Sequence, residues 1–103
     1  MYITFAGYEF DASYPMGEGL KDRAGVYVIV KSEGDEYKVI DVGESHAVKS
    51  RVANHERRDC WEKYCKDDIW ICAVYYTPHL QQPGRKEIEQ KIREMYNPPC
   101  GEQ

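Results

Sequence analysis

The chain has 103 residues, 42% of them apolar, enough for one small core and too apolar for a disordered tail. Its formal charge of −4 speaks against indiscriminate binding to polyanions. No run is long and apolar enough to span a membrane, and the first residues carry no basic leader, so a cytoplasmic protein without membrane contact is expected.

Residues 2–10 read as a strand or short hairpin interrupted by Ala6-Gly7, and residues 11–19, with Pro15, Gly17 and Gly19, as a loop. Residues 25–31 are a strand rich in β-branched side chains. A five-residue turn at 32–36 leads into a returning strand at 37–42, giving an antiparallel hairpin. Gly43-Glu44 ends it. Ser45 can cap a helix running to about residue 64, with a break near Asp59, and Asp67-Asp68 terminates it. Residues 69–76 form a third strand, apolar on both faces and therefore central. Residues 85–96 form an amphipathic helix with Ile88, Ile92, Met95 and Tyr96 as its apolar stripe, stopped by Asn97-Pro98-Pro99. The fold class is α+β. A small central three-stranded sheet, antiparallel or mixed, is flanked by helices in a single domain spanning 1–103.

Four cysteines (Cys60, Cys65, Cys72 and Cys100) include no Cys-x-x-Cys pair, so reduced thiols are expected. A metal site from Cys60, Cys65 and His55 is disfavoured, because residues five apart on a helix point ~140° away from each other. The charge is unevenly spread. Residues 1–44 hold nine acids and four bases, whereas residues 45–66 hold six bases and three acids. Such a local basic face can meet a phosphate backbone, or be an ordinary solvated helix face.

The helix after Gly43 holds the most unusual pattern. With Val48 at zero and ~100° per residue, Val52, His55 and Arg51 fall near ~40°, ~−20° and ~−60°, all on one stripe. An inward-facing arginine and histidine are costly unless something there needs them. Alternatively Arg51 snorkels to the rim and His55 is an ordinary core histidine.

Gly25-Val26-Tyr27 opens the first long strand, Asp41-Val42-Gly43 closes the second, and Ser45, Arg51, His55, Glu89 and Pro98 follow in order. This ordered set, over residues ~25–101, resembles the GIY-YIG nuclease superfamily. The resemblance implies metal-dependent hydrolysis of nucleic-acid phosphodiester bonds, with DNA as the partner. Glu89 would hold one divalent cation, Mg²⁺ or Mn²⁺. Arg51 would stabilise charge on the phosphate. Tyr27 would activate or position the attacking water. His55 would orient Tyr27, help deprotonate water or contact phosphate. The chemistry is coherent. A planar guanidinium matches developing phosphate charge, and a hard cation sharing ligands with substrate needs few protein carboxylates. Glu89 is preferred over Glu87 because it lies ~75° from the centre of its helix's apolar stripe, against ~125° for Glu87. Arg85, one turn earlier, can brace it.

Three positions depart from the pattern. Asp41 stands where the second motif has a tyrosine, in a strand otherwise made of Val39, Ile40 and Val42, and on the face of Tyr37 and Val39. It is a second metal contact, a partner for Arg51, or the mark of a lost water-activating tyrosine. Glu44 follows the motif glycine and repels phosphate. Gly101 replaces a terminal asparagine. The alternative function is therefore a degenerate domain that binds nucleic acid or a protein partner without cutting. The chain has no room for an added DNA-binding domain, so a cutting enzyme would have modest sequence preference or rely on a protein partner for targeting.

Overall fold

The computed structural model describes residues 1–66 and 68–101. In chain order its elements are strands β1 (Tyr2–Phe5), β2 (Tyr8–Pro15), β3 (Gly25–Glu33) and β4 (Glu36–Ser45), helices α1 (Val48–Ala53) and α2 (Arg58–Cys65), strand β5 (Ile71–Tyr76) and helix α3 (Gln82–Tyr96). The fold is α+β, as expected, but the sheet has five strands in the order β1-β2-β5-β3-β4, and every pairing is antiparallel. The anticipated three-stranded unit survives as β5-β3-β4, and β5 is central as expected. The N-terminal hairpin adds two strands along the other edge of β5. Residues 11–15 are strand rather than loop. Phe10 and Ala12 alternate into the core, and β5 supplies a hydrogen-bonding edge that outweighs the weak strand propensity of Asp11, Ser13 and Pro15.

The sheet separates two apolar layers. On one face Tyr27, Ile29, Ile40, Cys72 and Val74 pack against Val48 and Val52 of α1 and against Trp61 and Cys65 of α2. On the other, Val26, Val28, Val30, Val42 and Ala73 pack against Ile88 and Ile92 of α3. Burial of side chains of this size contributes about 1.5–3 kcal/mol each, and this holds the helices on. Met95, expected in the α3 stripe, is instead 62% exposed, while Tyr96 makes an edge contact with Phe5 at 5.6 Å.

Several boundaries differ from expectation. The β3–β4 turn is only Gly34-Asp35, because Glu33 already pairs with Glu36; Gly34 supplies the positive φ that the tight turn requires. The register slips between Ile29 and Val30, so that Val39 pairs with Val30 and Asp41 with Ile29. This bulge at Ile40 changes the strand's parity. Asp41 therefore leaves the face of Tyr37 and Val39, and lies under α2 beside Trp61. The helix after Gly43 is two helices, interrupted at residues 54–57 and not near Asp59. Ser45 does not cap α1 at its N-cap, which is Ala47, but its hydroxyl accepts from the Ala47 amide. Helix α2 ends at Cys65, before Asp68, and the expected terminator Asp67 lies outside the described residues. Helix α3 begins three residues before Arg85, with Pro83 in the first turn, where its missing N–H costs nothing. Asn97 in a left-handed conformation ends it ahead of Pro98.

The expectation of four reduced thiols is overturned. Cys60 and Cys100 form a disulfide, and Cys65 and Cys72 are free and buried. Partners 40 residues apart meet because the segment after α3 doubles back over β4. There the Cys100 amide donates to the Ile40 carbonyl, covering part of an otherwise open sheet edge. The compartment inferred from reduced thiols loses that support. Among the described residues no helix is long and apolar enough to cross a membrane.

Candidate active site

Tyr27 and Gly43 face each other in the β3–β4 ladder. A β-carbon on Gly43 would overlap the ring and hydroxyl of Tyr27, so the glycine is what lets the phenol lie flat across β4. Gly25 plays a similar part at the other edge of β3, where a β-carbon would stand 2.7 Å from the Tyr75 carbonyl oxygen. Tyr27 is 1% exposed. Burial drives its phenol well above the ordinary range, opposed by the nearby Arg51 charge and reinforced by Asp41. It is a neutral phenol across physiological pH.

Arg51 lies in the last turn of α1 with its side chain 37% exposed. Its Nη1 and Nη2 donate to Glu56 Oε2 and Oε1 at 2.6 and 2.9 Å, a fork-to-fork pair. Glu56 foremost, and also the Tyr27 hydroxyl, hold the Arg51 proton more firmly than usual. In return Arg51 pulls the Glu56 carboxyl down to about 2.

His55 is not on the helix that the stripe assigned to it. It lies in the turn between α1 and α2, and it is buried all the same. Its ring stands edge-on to Tyr27 at 6.0 Å and packs on Trp61 at 4.6 Å. Nδ1 accepts the Arg57 amide at 3.0 Å, which assigns the remaining proton of the neutral ring to Nε2. Nε2 is buried with no hydrogen-bond partner among the described residues. Burial, then the charges of Arg51 and Arg57, lower the imidazole to about 4. His55 is therefore neutral at pH 7.

Asp41 answers one of the questions the sequence left open. It is fully buried, and it pairs with Arg57 rather than Arg51. Arg57 Nε donates at 2.7 Å, Trp61 Nε1 at 2.8 Å and its neighbour Val42's amide at 2.8 Å, with Arg93 Nη2 at 3.4 Å. A carboxylate so fully served by donors has no role left as a metal contact. Burial opposes the Arg57 charge, but Asp41 outweighs it and raises the guanidinium above its ordinary value.

Glu89 projects from α3 at the same edge of β4, 23% exposed, with Arg93 Nη2 3.6 Å from Oε2. Burial raises its carboxyl, Arg93 opposes this and Glu44 adds to it. Glu87 stands out in solvent beside Lys91, so the choice between the two glutamates matches their burial. Arg85 does not brace Glu89. Its Nε donates to Glu44 at 2.9 Å and its Nη1 to the Leu80 carbonyl, so Glu44 is absorbed by an ion pair across the sheet edge. Gly101 lies against Arg93 and Asp41, where a β-carbon would stand 2.7 and 2.9 Å from their polar atoms.

Tyr27, Arg51 and His55 thus share one end of the sheet. Arg57, whose charge reaches both Tyr27 and Glu89, joins them to α3. A cavity of about 410 Å³ opens beside Arg51, lined also by Ser45, His46, Ala47, Ser50 and Asn54. Arg57 and Glu56 were not singled out in the sequence. The clue to Arg57 was Asp41 itself, because a carboxylate in an apolar strand demands a cation.

As to a cation, Glu89 is a single carboxylate disfavoured as an anion by burial. Among the described residues no group of three or more His, Cys, Asp or Glu side chains is placed to hold a metal. That donor set fits only a hard ion that keeps most of its waters. No family model, curated protein or solved structure matches the chain.

Proposed function

We infer that the protein is a GIY-YIG-like phosphodiesterase acting on nucleic acid, most simply DNA, with Mg²⁺ or Mn²⁺ held by Glu89. The observation that carries this reading is the meeting of Tyr27, Arg51 and His55, with Tyr27 fitted against Gly43, a glycine that leaves it room, and with Glu89 of α3 linked to them through the charge of Arg57.

The side chains divide the work by their charge. Arg51 binds a non-bridging phosphate oxygen and stabilises the extra charge that builds when water adds to phosphorus. Tyr27 keeps its proton at pH 7, so it orients the phosphate or the incoming water by a hydrogen bond rather than acting as a base. His55, neutral and locked by the Arg57 amide, braces the Tyr27 ring from its edge. Asp41 stands in for the missing tyrosine only as the anchor of Arg57. A divalent cation bound at Glu89 would lower the pKa of its water and polarise the phosphoryl oxygen. The bond that breaks is the ester bond from phosphorus to a sugar oxygen, which leaves with a proton.

Labelled single-stranded, duplex and branched DNA incubated with the protein and Mg²⁺ or Mn²⁺ tests the reading. Cleavage that stops with chelator supports it, and no cleavage of any of the three contradicts it. A second reading, a binding domain that does not cut, is favoured by one feature: every arginine near the site is already paired with a carboxylate. Chelator-insensitive binding with no cleavage is the result that selects it.

A further inference from the structure

We propose that Arg51 and Arg57 form an anion cradle for a phosphodiester, and that Glu56 is its built-in plug. This rests on the phosphodiesterase reading and adds how the site is kept closed when no substrate is bound.

The geometry at residues 51–57 is that of a ligand complex made within one chain. The two Glu56 oxygens take the two outer nitrogens of Arg51 at 2.6 and 2.9 Å, as two phosphate oxygens would. Arg57 Nη1 lies 4.0 Å from Glu56 Oε1, while Asp41 takes Nε and Nη2 of the same guanidinium. Asp41 therefore fixes the orientation of Arg57, so that its third nitrogen stands on the side of Glu56. A single carboxylate thus sits beside two guanidiniums. Beside them is the buried His55 imidazole, whose Nδ1 lies 3.8 Å from Glu56 Oε2.

Glu56 is suited to leave. Its side chain is 61% exposed and belongs to the short turn between α1 and α2, so rotating it into water uncovers no core. Asp41 contrasts with it, being fully buried and served by Trp61 and the Val42 amide as well as by Arg57. The two carboxylates have different duties: one holds a cation in place, and the other occupies the place where the substrate's charge goes. The plug also limits loose association with polyanions, since Arg51 is neutralised until a phosphate competes successfully. Because Glu56 is exposed, its grip on Arg51 is modest and screened by salt, and a phosphodiester backbone can displace it.

The test is binding without cleavage. A fluorescein-labelled single-stranded 12-mer oligodeoxynucleotide is titrated by anisotropy in chelator, at low and moderate salt. Wild type is compared with Glu56→Ala and with Glu56→Ala/Arg51→Ala, each checked for folding by circular dichroism. Removing the plug should tighten binding about two- to fivefold, the range set by an exposed ion pair, and removing Arg51 as well should abolish the gain. Inorganic phosphate added to ¹⁵N-labelled Glu56→Ala should shift the Arg51 and Arg57 side-chain resonances. Unchanged affinity in Glu56→Ala overturns the proposal, as does a gain that survives loss of Arg51. Its fate is separable from that of the enzyme reading. Tighter binding with no cleavage in Mg²⁺ keeps the cradle and discards the enzyme. Cleavage by wild type with an identical KM in Glu56→Ala keeps the enzyme and discards the plug.

Discussion

Replacing both Cys60 and Cys100 by serine should destabilise the protein by about 4 kcal/mol. The bridge spans 40 residues, which include the part of α2 after Cys60, β5 and all of α3. The loop-entropy relation for a link of that span, 2.1 plus 1.5R ln n, comes to about 13 cal/mol/K, hence about 4 kcal/mol at 25 °C. The native contacts around the bridge reduce the chance that its loss is silent. Cys100 is 1% exposed, its amide holds the Ile40 carbonyl, and Arg93 Nη1 approaches its carbonyl at 3.5 Å. In a domain of this size about 4 kcal/mol corresponds to a Tm lower by about 15–30 °C. Urea unfolding of wild type and of the double variant without reductant measures the difference, and wild type in excess dithiol should converge on the variant. Thiol titration of the denatured, non-reduced protein should find Cys65 and Cys72 alone reactive. A double variant within about 1 kcal/mol of wild type, or four titratable thiols, refutes the reasoning.

Other consequences follow from the same contacts. Gly43→Ala forces a methyl group into the Tyr27 ring and should destabilise by about 1–3 kcal/mol; pairing it with Tyr27→Leu in a double-mutant cycle should show strong non-additivity, and simple additivity counts against the contact. Asp41→Asn leaves Arg57 and Arg93 without their shared counter-charge and should cost about 3–5 kcal/mol in a urea melt, whereas a change below about 1 kcal/mol would mean the pair is not buried as described. His55 takes a proton near 6.5 when unfolded but only near 4 when folded. The stability it contributes is therefore complete above pH 6.5 and is lost as pH falls towards 4, by up to roughly 3 kcal/mol. His55→Gln should flatten that part of the pH–stability curve, and an unchanged curve would contradict the lowered value.

The helix stripe at Val48, Arg51, Val52 and His55 led to the correct neighbourhood for an incorrect reason. It assumed continuous 100° steps, but the chain leaves the helix after Ala53, and His55 reaches the core from a turn. Local polar demands decided this. Asn54 bonds back to Ser50, Glu56 meets Arg51, and Arg57 must descend to Asp41. None of these is periodic, so none appears in a periodicity analysis. Asp41 was legible as an anomaly, yet the face it occupies depends on a one-residue bulge that the alternation of Val39, Ile40 and Val42 does not reveal. Glu89 was legible because its angle on α3 governs its burial. The partners of Arg85 and Arg93 were not, because they reach across the sheet edge to β4, and sequence separation carries no information about that crossing. The Cys60–Cys100 bond is hidden for the same reason, since it depends on the chain folding back after Pro98-Pro99. The N-terminal strands were half seen. Their turn at Ala6-Gly7 was recognisable, but their place beside β5 is a tertiary choice.

The central claim is that Arg51 and Glu89, on separate helices, serve one reacting phosphate. The initial rate of cleavage of a labelled DNA substrate in Mg²⁺, measured for wild type, Arg51→Ala and Glu89→Gln at matched folding, tests it most directly. Loss of a donor to the phosphate should lower the rate by about 10²–10³, and loss of the cation-holding carboxylate should lower it at least as far, with Mn²⁺ or Mg²⁺ no longer giving a saturable response. Equal rates in all three proteins would contradict the account.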